Sequence, residues 1–158
     1  MNFNDIEEFK KAGFTGFLNM SDLFRNSSIL PPGGGVYLVL NMDERPGEFL
    51  QVGTGGYFKG KNPNVPISEL EANWVPNTKV IYIGKASSLR SRLRQYFGFG
   101  QGKNVGHYGG RYIWQLMYSH DLVVCCKLTS TDPREVEADL IRKFVSIYGR
   151  RPFANLQD

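Results

Sequence analysis

The sequence has few cysteines and no long apolar run. Among 158 residues there are only two cysteines, the neighbours Cys125 and Cys126. Adjacent cysteines rarely bridge each other and their spacing fits no zinc motif, so both are expected to be small apolar strand residues in a reducing cytoplasm. No segment approaches the roughly 18 apolar residues of a membrane span, and the polar, acidic start is unlike a secretory signal. The sequence therefore predicts a cytoplasmic protein without a membrane partner.

Acidic residues are absent from the middle of the chain. Residues 72–120 contain seven Lys/Arg and no Asp/Glu, whereas residues 1–71 contain six Lys/Arg against nine Asp/Glu. The net charge of +4 therefore hides a strongly basic segment. Such a segment favours polyanionic partners, although a solvated basic surface is the simpler alternative.

The length and composition predict one domain of α/β or α+β class. An apolar fraction of 41% and a charged fraction of 22% are typical of globular proteins. We expect a helical N-terminal extension (1–32), a core (33–156), an insertion (42–78) and a glycine-rich loop (98–110). The predicted strands are 35–41, 48–52, 79–84 and 121–129, and the predicted helices are 4–12, 67–74, 89–97, 111–118 and 133–148.

Three arginines at alternate positions follow the strand that ends at Gly84. A helix repeats every 3.6 residues, so Arg90, Arg92 and Arg94 cannot share one face. A helical wheel places Arg90 and Arg94 on one flank of an apolar stripe. It places Arg92 on the other flank, beside Tyr96.

The last predicted helix carries a carboxylate on its apolar face. The wheel puts Glu137 in the middle of that face. A lone buried carboxylate costs several kcal/mol unless a cation or hydrogen bonds compensate it. Glu137 is therefore either a functional carboxylate, partly wet at the open end of the helix, or one half of a buried Glu–Arg or Glu–Lys pair.

An ordered set of motifs resembles the GIY-YIG nuclease superfamily. The sequence has GVY at 35–37, YIG at 82–84, an arginine eight residues after YIG, a glutamate on a late helix and an asparagine near the end. It looks most like the excision-repair branch of that superfamily, namely the N-terminal nuclease domain of the bacterial excision-repair nuclease. Two departures are GVY in place of GIY and the 44 residues that separate Tyr37 from Tyr82.

The resemblance implies a small, mainly antiparallel three-stranded sheet flanked by helices, and a metal-dependent DNA endonuclease. It implies products with 5′-phosphate and 3′-hydroxyl ends, and one Mg²⁺ or Mn²⁺ ion per active site, held by Glu137. Tyr37 would take a proton from water, which requires either nearby cations that lower the Tyr37 pKa or a metal-bound water. Tyr82 would orient water or phosphate, Tyr96 would hold Arg92 or touch phosphate, and Asn155 would brace the C-terminal loop against the metal site. The implied catalytic set is Tyr37, Tyr82, Lys85, Arg92, Tyr96, Glu137 and Asn155.

Double-stranded or branched DNA is the expected partner, bound by a monomer or a homodimer. The residues expected to contact it are Arg90, Arg94, Lys103, His107, Arg111, Lys59 and Lys61. Taken one at a time and without the resemblance, the tyrosines are more typical of core aromatics, and the cations of solvated surface. A non-catalytic nucleic-acid-binding module and a small domain that binds an acidic protein are the alternative functions.

Overall fold

The computed structural model describes residues 1–156, which form an antiparallel four-stranded sheet with helices on both faces. The strand order is β1-β4-β2-β3. The strands are β1 (Thr15–Asn19), β2 (Gly35–Leu40), β3 (Val80–Ala86) and β4 (Val123–Leu128). The α-helices are α1 (Ile6–Lys11), α2 (Met20–Arg25), α3 (Ile67–Asn73), α4 (Leu89–Gly100) and α5 (Pro133–Tyr148). Short 3₁₀ segments are Phe58–Gly60, Tyr108–Gln115 and Ser119–Asp121. The α+β class is confirmed, but the sheet has four strands and not three.

The additional strand comes from the N-terminal extension, which is therefore not purely helical. β1 pairs antiparallel with β4 at the edge of the sheet. Its register shifts between Thr15 and Leu18, where Gly16 and Phe17 both have positive φ. This bulge breaks the alternation of side chains that identifies a strand in a sequence.

The predicted returning strand at 48–52 is wrong. β2 is already flanked by β3 and β4, so neither of its edges can accept another strand. The segment instead pairs with the chain around Leu116, where Leu50 N–H donates to Gln115 and Met117 N–H donates to Glu48. Only one isolated bridge results, between Phe49 and Leu116.

β2 is the central strand and is buried on both faces. Val36, Leu38 and Leu40 pack with α1 and α5 on one face, whereas Tyr37 and Val39 pack with α4 on the other. The cysteines of β4 follow the same alternation, and both are buried and free, as predicted. The sheet therefore separates two apolar layers, one of which contains the tyrosines.

Both site-bearing helices begin as their sequences predict. In α4, Ser88 is the N-cap; in α5, Asp132 is the N-cap, Pro133 is in the first turn, and left-handed Gly149 ends the helix. However, α4 continues to Gly100 instead of Phe97. The extra turn is stabilised by buried Phe99 and by the close approach of Trp114 to Gly100. The predicted helix at 111–118 is a 3₁₀ segment displaced toward the N-terminus.

The insertion packs against the rest of the chain. The buried amide of Gln115 accepts from Val65 N–H at 2.9 Å and donates to the carbonyls of Leu50 and Val65 at 3.1 and 3.0 Å. One glutamine thus connects both arms of the insertion to the 3₁₀ segment. Among the described residues, no helix combines the length and apolar character needed to cross a bilayer.

Candidate active site and nucleic-acid interface

An open cleft of about 830 Å³ brings together residues from three distant segments. β3 contributes Tyr82 and Lys85, α5 contributes Glu137, and the C-terminal segment contributes Asn155. Lys85 Nζ lies 3.3 Å from Glu137 Oε1, and these side chains are 44% and 17% exposed. Glu137 is thus partly buried in a Glu–Lys pair, which is one of the two alternatives left open by its helical wheel, and it also lines the cleft.

Tyr37 and Tyr82 lie on neighbouring strands with their rings 5.9 Å apart, edge to face. Tyr37 is paired across the strands with Gly84. A Cβ atom at Gly84 would lie 2.2 Å from Tyr37 Cζ, far inside van der Waals contact. The glycine of the YIG motif therefore makes room for the ring of the GVY tyrosine.

The Tyr37 pKa is not lowered in this structure, so one of the two conditions expected for proton uptake by Tyr37 is not met. Its side chain is fully buried, and burial raises its pKa well above the usual value, an effect that the Arg92 charge opposes only in part. Burial also raises the pKa of Tyr82, but Tyr82 lines the cleft and Tyr37 does not. Of the two, Tyr82 is the tyrosine that a molecule in the cleft would contact.

His107 is the largest departure from expectation in the glycine-rich segment. We expected it to contact DNA, but it is only 1% exposed. Its ring lies 4.1 Å from the Tyr96 ring, and its Nε2 lies 3.3 Å from the Tyr37 hydroxyl. Burial, together with the nearby Arg92, lowers the pKa of His107 to about 3, so the imidazole is neutral. The unprotonated nitrogen of a neutral imidazole can accept a hydrogen bond, so Nε2 can accept one from the Tyr37 hydroxyl.

Tyr96 also plays a different part from the one expected. It is fully buried, and its hydroxyl donates to the Gly110 carbonyl at 3.0 Å, so it neither holds Arg92 nor reaches the cleft. Its position between Tyr82 and His107 makes it a packing residue that fixes the end of the glycine-rich segment.

The predicted separation of the three arginines is confirmed. Arg92 Nη1 donates to the Gly106 carbonyl at 3.1 Å, on the side of the tyrosines and Lys85. On the opposite flank, Arg90 Nε donates to the Leu30 carbonyl and Arg94 Nε donates to the Ser27 hydroxyl, both at 2.9 Å. Arg92 does not line the 830 Å³ cleft but lies close to it, in a smaller cleft that Lys85 also lines. Arg90 and Arg94 attach α4 to the N-terminal extension.

Asn155 braces the C-terminal segment, and its partner is the backbone of β3. Its Oδ1 accepts from Ile83 N–H and its Nδ2 donates to the Ile83 carbonyl, both at 2.9 Å. Ala154 N–H adds a bond to the Ile81 carbonyl at 2.9 Å. The segment thereby covers the open edge of β3 directly beside Tyr82.

The other predicted DNA-contacting cations lie where the insertion meets the glycine-rich segment. Lys59, Lys61 and Lys103 are exposed, and Arg111 is partly buried. The Lys61 ammonium and the Arg111 guanidinium lie 5.9 and 4.2 Å from the Tyr108 ring. Lys61 from the insertion and Arg111 from the 3₁₀ segment thus form a basic surface around the Tyr108 ring.

Three arginines that line the clefts were missed by the sequence reasoning. Arg142 and Arg151 line the 830 Å³ cleft with Glu137, and Arg150 lines its neighbour. Arg142 lies five residues after Glu137 on α5, and RR directly precedes the PFAN that contains Asn155. Their closeness in sequence to Glu137 and Asn155 is the signal from which these arginines could have been predicted.

The chemistry of the cleft fits one hard divalent cation. Among the described residues that line the 830 Å³ cleft, Glu137 is the only one with an acidic side chain. Magnesium prefers oxygen ligands and usually keeps several waters with one or two carboxylates. Within residues 1–156, no group of three or more His, Cys, Asp or Glu side chains comes together to hold a metal. Glu137 can therefore supply one ligand, with water and substrate oxygens left to supply the others.

The buried His107 predicts an acid-sensitive fold. Its folded-state pKa of about 3 lies below the ordinary 6.5, so the unfolded chain binds more protons between these values. The contribution of buried, neutral His107 to the free energy of unfolding is therefore complete above about pH 6.5 and is lost as the pH falls toward 3. From pH 7.5 to 5.0, the parent should lose about 2 kcal/mol of unfolding free energy relative to His107→Gln, as measured by urea denaturation. The control His120→Gln, at an exposed histidine, should behave like the parent; equal acid sensitivity in His107→Gln would contradict the assignment.

Comparisons of the chain with protein-family models, with curated proteins and with solved structures give no match.

Proposed function

We propose that this chain is a GIY-YIG-type, metal-dependent DNA endonuclease. The observation that carries the proposal is the meeting of Tyr82, Lys85, Glu137 and Asn155 at one cleft, although 73 positions separate the first from the last. The motif resemblance had named all four. The segment 72–120, which has seven Lys/Arg and no Asp/Glu, supplies a second, independent reason to expect a polyanionic substrate.

In the proposed reaction, the oxygen of a water forms a bond to phosphorus while the bond from phosphorus to the 3′ oxygen breaks. One proton of the water ends on the leaving 3′ oxygen, which gives 5′-phosphate and 3′-hydroxyl ends. Glu137 would hold one Mg²⁺ or Mn²⁺ ion, which when bound supplies Lewis-acid stabilisation of charge on the phosphate and leaving oxygen. Lys85, now paired with Glu137, would turn its ammonium toward a non-bridging phosphate oxygen. Arg92 would add a second positive charge from the other side of Lys85.

Tyr82 is the proposed contact for the attacking water. It lines the cleft with a hydroxyl-bearing ring, and Tyr37 supports that ring from the protein interior. Asn155 would keep β3 and the C-terminal segment in register, so that Tyr82 and Lys85 present their side chains to the same space. Tyr37, Tyr96 and His107 form the buried support of this arrangement.

The experiment that tests the proposal is incubation with supercoiled plasmid and with branched DNA, in Mg²⁺ or Mn²⁺, followed by mapping of the ends. We expect cleavage with 5′-phosphate and 3′-hydroxyl ends. Discrete double-strand cuts would favour a restriction-like homodimer, and structure-dependent nicks a repair-like monomer. Salt-dependent DNA binding with no cleavage in either metal would overturn the nuclease proposal and leave the non-catalytic binding module.

A further inference from the structure

A second cleft adjoins the first and is lined by three arginines. It encloses about 360 Å³. Arg111 comes from the 3₁₀ segment, and Arg150 and Arg151 follow Gly149, the residue that ends α5. The other lining residues carry no charge, namely Asn73, Tyr112, Pro152, Asn155 and Leu156. Two distant parts of the chain therefore concentrate positive charge at one concave place.

No ion pair offsets the charge of these arginines within the described chain. No carboxylate of residues 1–156 forms an ion pair with Arg111, Arg150 or Arg151. The nearby Glu69 carboxylate accepts a hydrogen bond from the Tyr112 hydroxyl. Converging guanidinium groups repel each other, so an arrangement without a counter-charge favours an incoming anion.

Neutral groups hold each arginine in place. Arg111 stacks 4.2 Å from the Tyr108 ring and donates to the Tyr108 carbonyl at 3.3 Å, and its buried Nε has no hydrogen-bond partner among the described residues. Arg150 donates to the carbonyls of Ala72 and Trp74 at the end of α3. Arg151 donates to the Leu156 carbonyl at 3.2 Å. Each guanidinium has five N–H donors, so most of these donors remain free to bind a ligand. Because the arginines are already held in position, less conformational entropy is lost when a ligand binds.

The two clefts are continuous, because Arg151, Asn155 and Leu156 line both. On its other side, the arginine cleft reaches the basic surface through Arg111, which shares the Tyr108 ring with Lys61. The positive charge therefore runs from Lys85 through the arginines to the insertion.

We propose that the cleft of Arg111, Arg150 and Arg151 binds a backbone phosphate of the nucleic-acid strand, next to the phosphate at Lys85 and Glu137. This inference rests on the proposed function and assigns the direction in which the strand leaves the active site. The planar guanidinium fork matches two phosphate oxygens, and successive phosphates along one strand lie within the reach of adjoining clefts. Tyr108 offers a ring on which a neighbouring base can stack.

The test measures duplex binding by fluorescence anisotropy over a KCl series, with Glu137→Gln as the parent so that the substrate stays intact. Arg111→Gln and Arg151→Gln are the test variants, because Arg150 also caps α3. Each should lower affinity roughly 5- to 10-fold at about 0.1 M salt and reduce the slope of log K against log salt by about one. Arg25→Gln on α2 removes the same charge from an exposed ion pair with Asp22 and should change the slope less. Melting curves check that each variant is folded.

Slopes equal to that of Arg25→Gln in both folded variants would overturn the proposal, and so would absence of DNA binding by the parent. Competition by polyglutamate as strong as that by duplex DNA would also overturn the proposal, in favour of an acidic protein partner.

The possible outcomes distinguish a failure of this phosphate site from a failure of the proposed function. Reduced slopes in a protein that never cleaves DNA would support the phosphate site and reject the nuclease, whereas cleavage with unchanged slopes would reject the site alone.

Discussion

Glu137→Gln is expected to reduce DNA cleavage by at least about 10³-fold while duplex binding is retained. The substitution keeps the shape of the side chain but removes the negative charge that a divalent cation needs in a ligand. Glu137 pairs with Lys85 at 3.3 Å, and Lys85 is close to half exposed, so this pair contributes little to stability. The loss of activity should therefore appear without unfolding. Single-turnover cleavage at saturating DNA, beside an anisotropy titration, measures the two quantities separately.

The chain offers a matched control two residues away. Glu135 is on the same turn of α5 but is exposed and does not line the cleft. Glu135→Gln removes the same charge and should cleave within about 2-fold of the parent, because an exposed substitution away from the site has little effect. If Glu137→Gln cleaves as fast as Glu135→Gln at the same metal concentration, Glu137 is only half of a structural ion pair.

Periodic helices are the part of this molecule that the sequence predicts best. The wheel of α4 separates Arg92 from Arg90 and Arg94, and the structure gives the two flanks different partners. The wheel of α5 marks Glu137 as an unusual carboxylate, and it is partly buried against Lys85. Both succeed because a regular helix fixes the direction of each side chain from local sequence alone.

Irregular segments are where prediction fails, for a physical reason in each case. β1 escapes notice because its bulge at Gly16 and Phe17 breaks the two-residue alternation. His107 lies among glycines, whose sequence gives no periodicity to show which way a neighbour points. Its burial depends on contacts with Tyr37 and Tyr96, which are 70 and 11 positions away. Such contacts are properties of the tertiary structure.

Arg92→Ala is expected to lower the single-turnover cleavage rate by about 10²- to 10³-fold with a smaller change in DNA affinity. Arg92 lines a smaller cleft beside the 830 Å³ cleft, together with Lys85. Its positive charge also shifts the pKa values of Tyr37, Tyr82 and His107.

Arg94→Ala should instead leave the rate within about 3-fold and reduce the salt slope of DNA binding by about one, because Arg94 lies on the opposite flank of α4 and contacts Ser27. Arg90→Ala should resemble Arg94→Ala, with an additional stability loss of about 1 kcal/mol from the bond to Leu30.

Arg92→Lys separates charge from geometry at the same position. Lysine keeps the positive charge but lacks the planar fork that grips two phosphate oxygens, so it should restore only part of the rate. Arg92 also holds the Gly106 carbonyl, and a purely structural role would therefore loosen the glycine-rich segment. Proteolysis of that segment tests this: unchanged protection in a slow Arg92→Ala enzyme assigns Arg92 to the reaction. Equal rate losses at Arg90, Arg92 and Arg94 would show that the two flanks of α4 do not have separate functions.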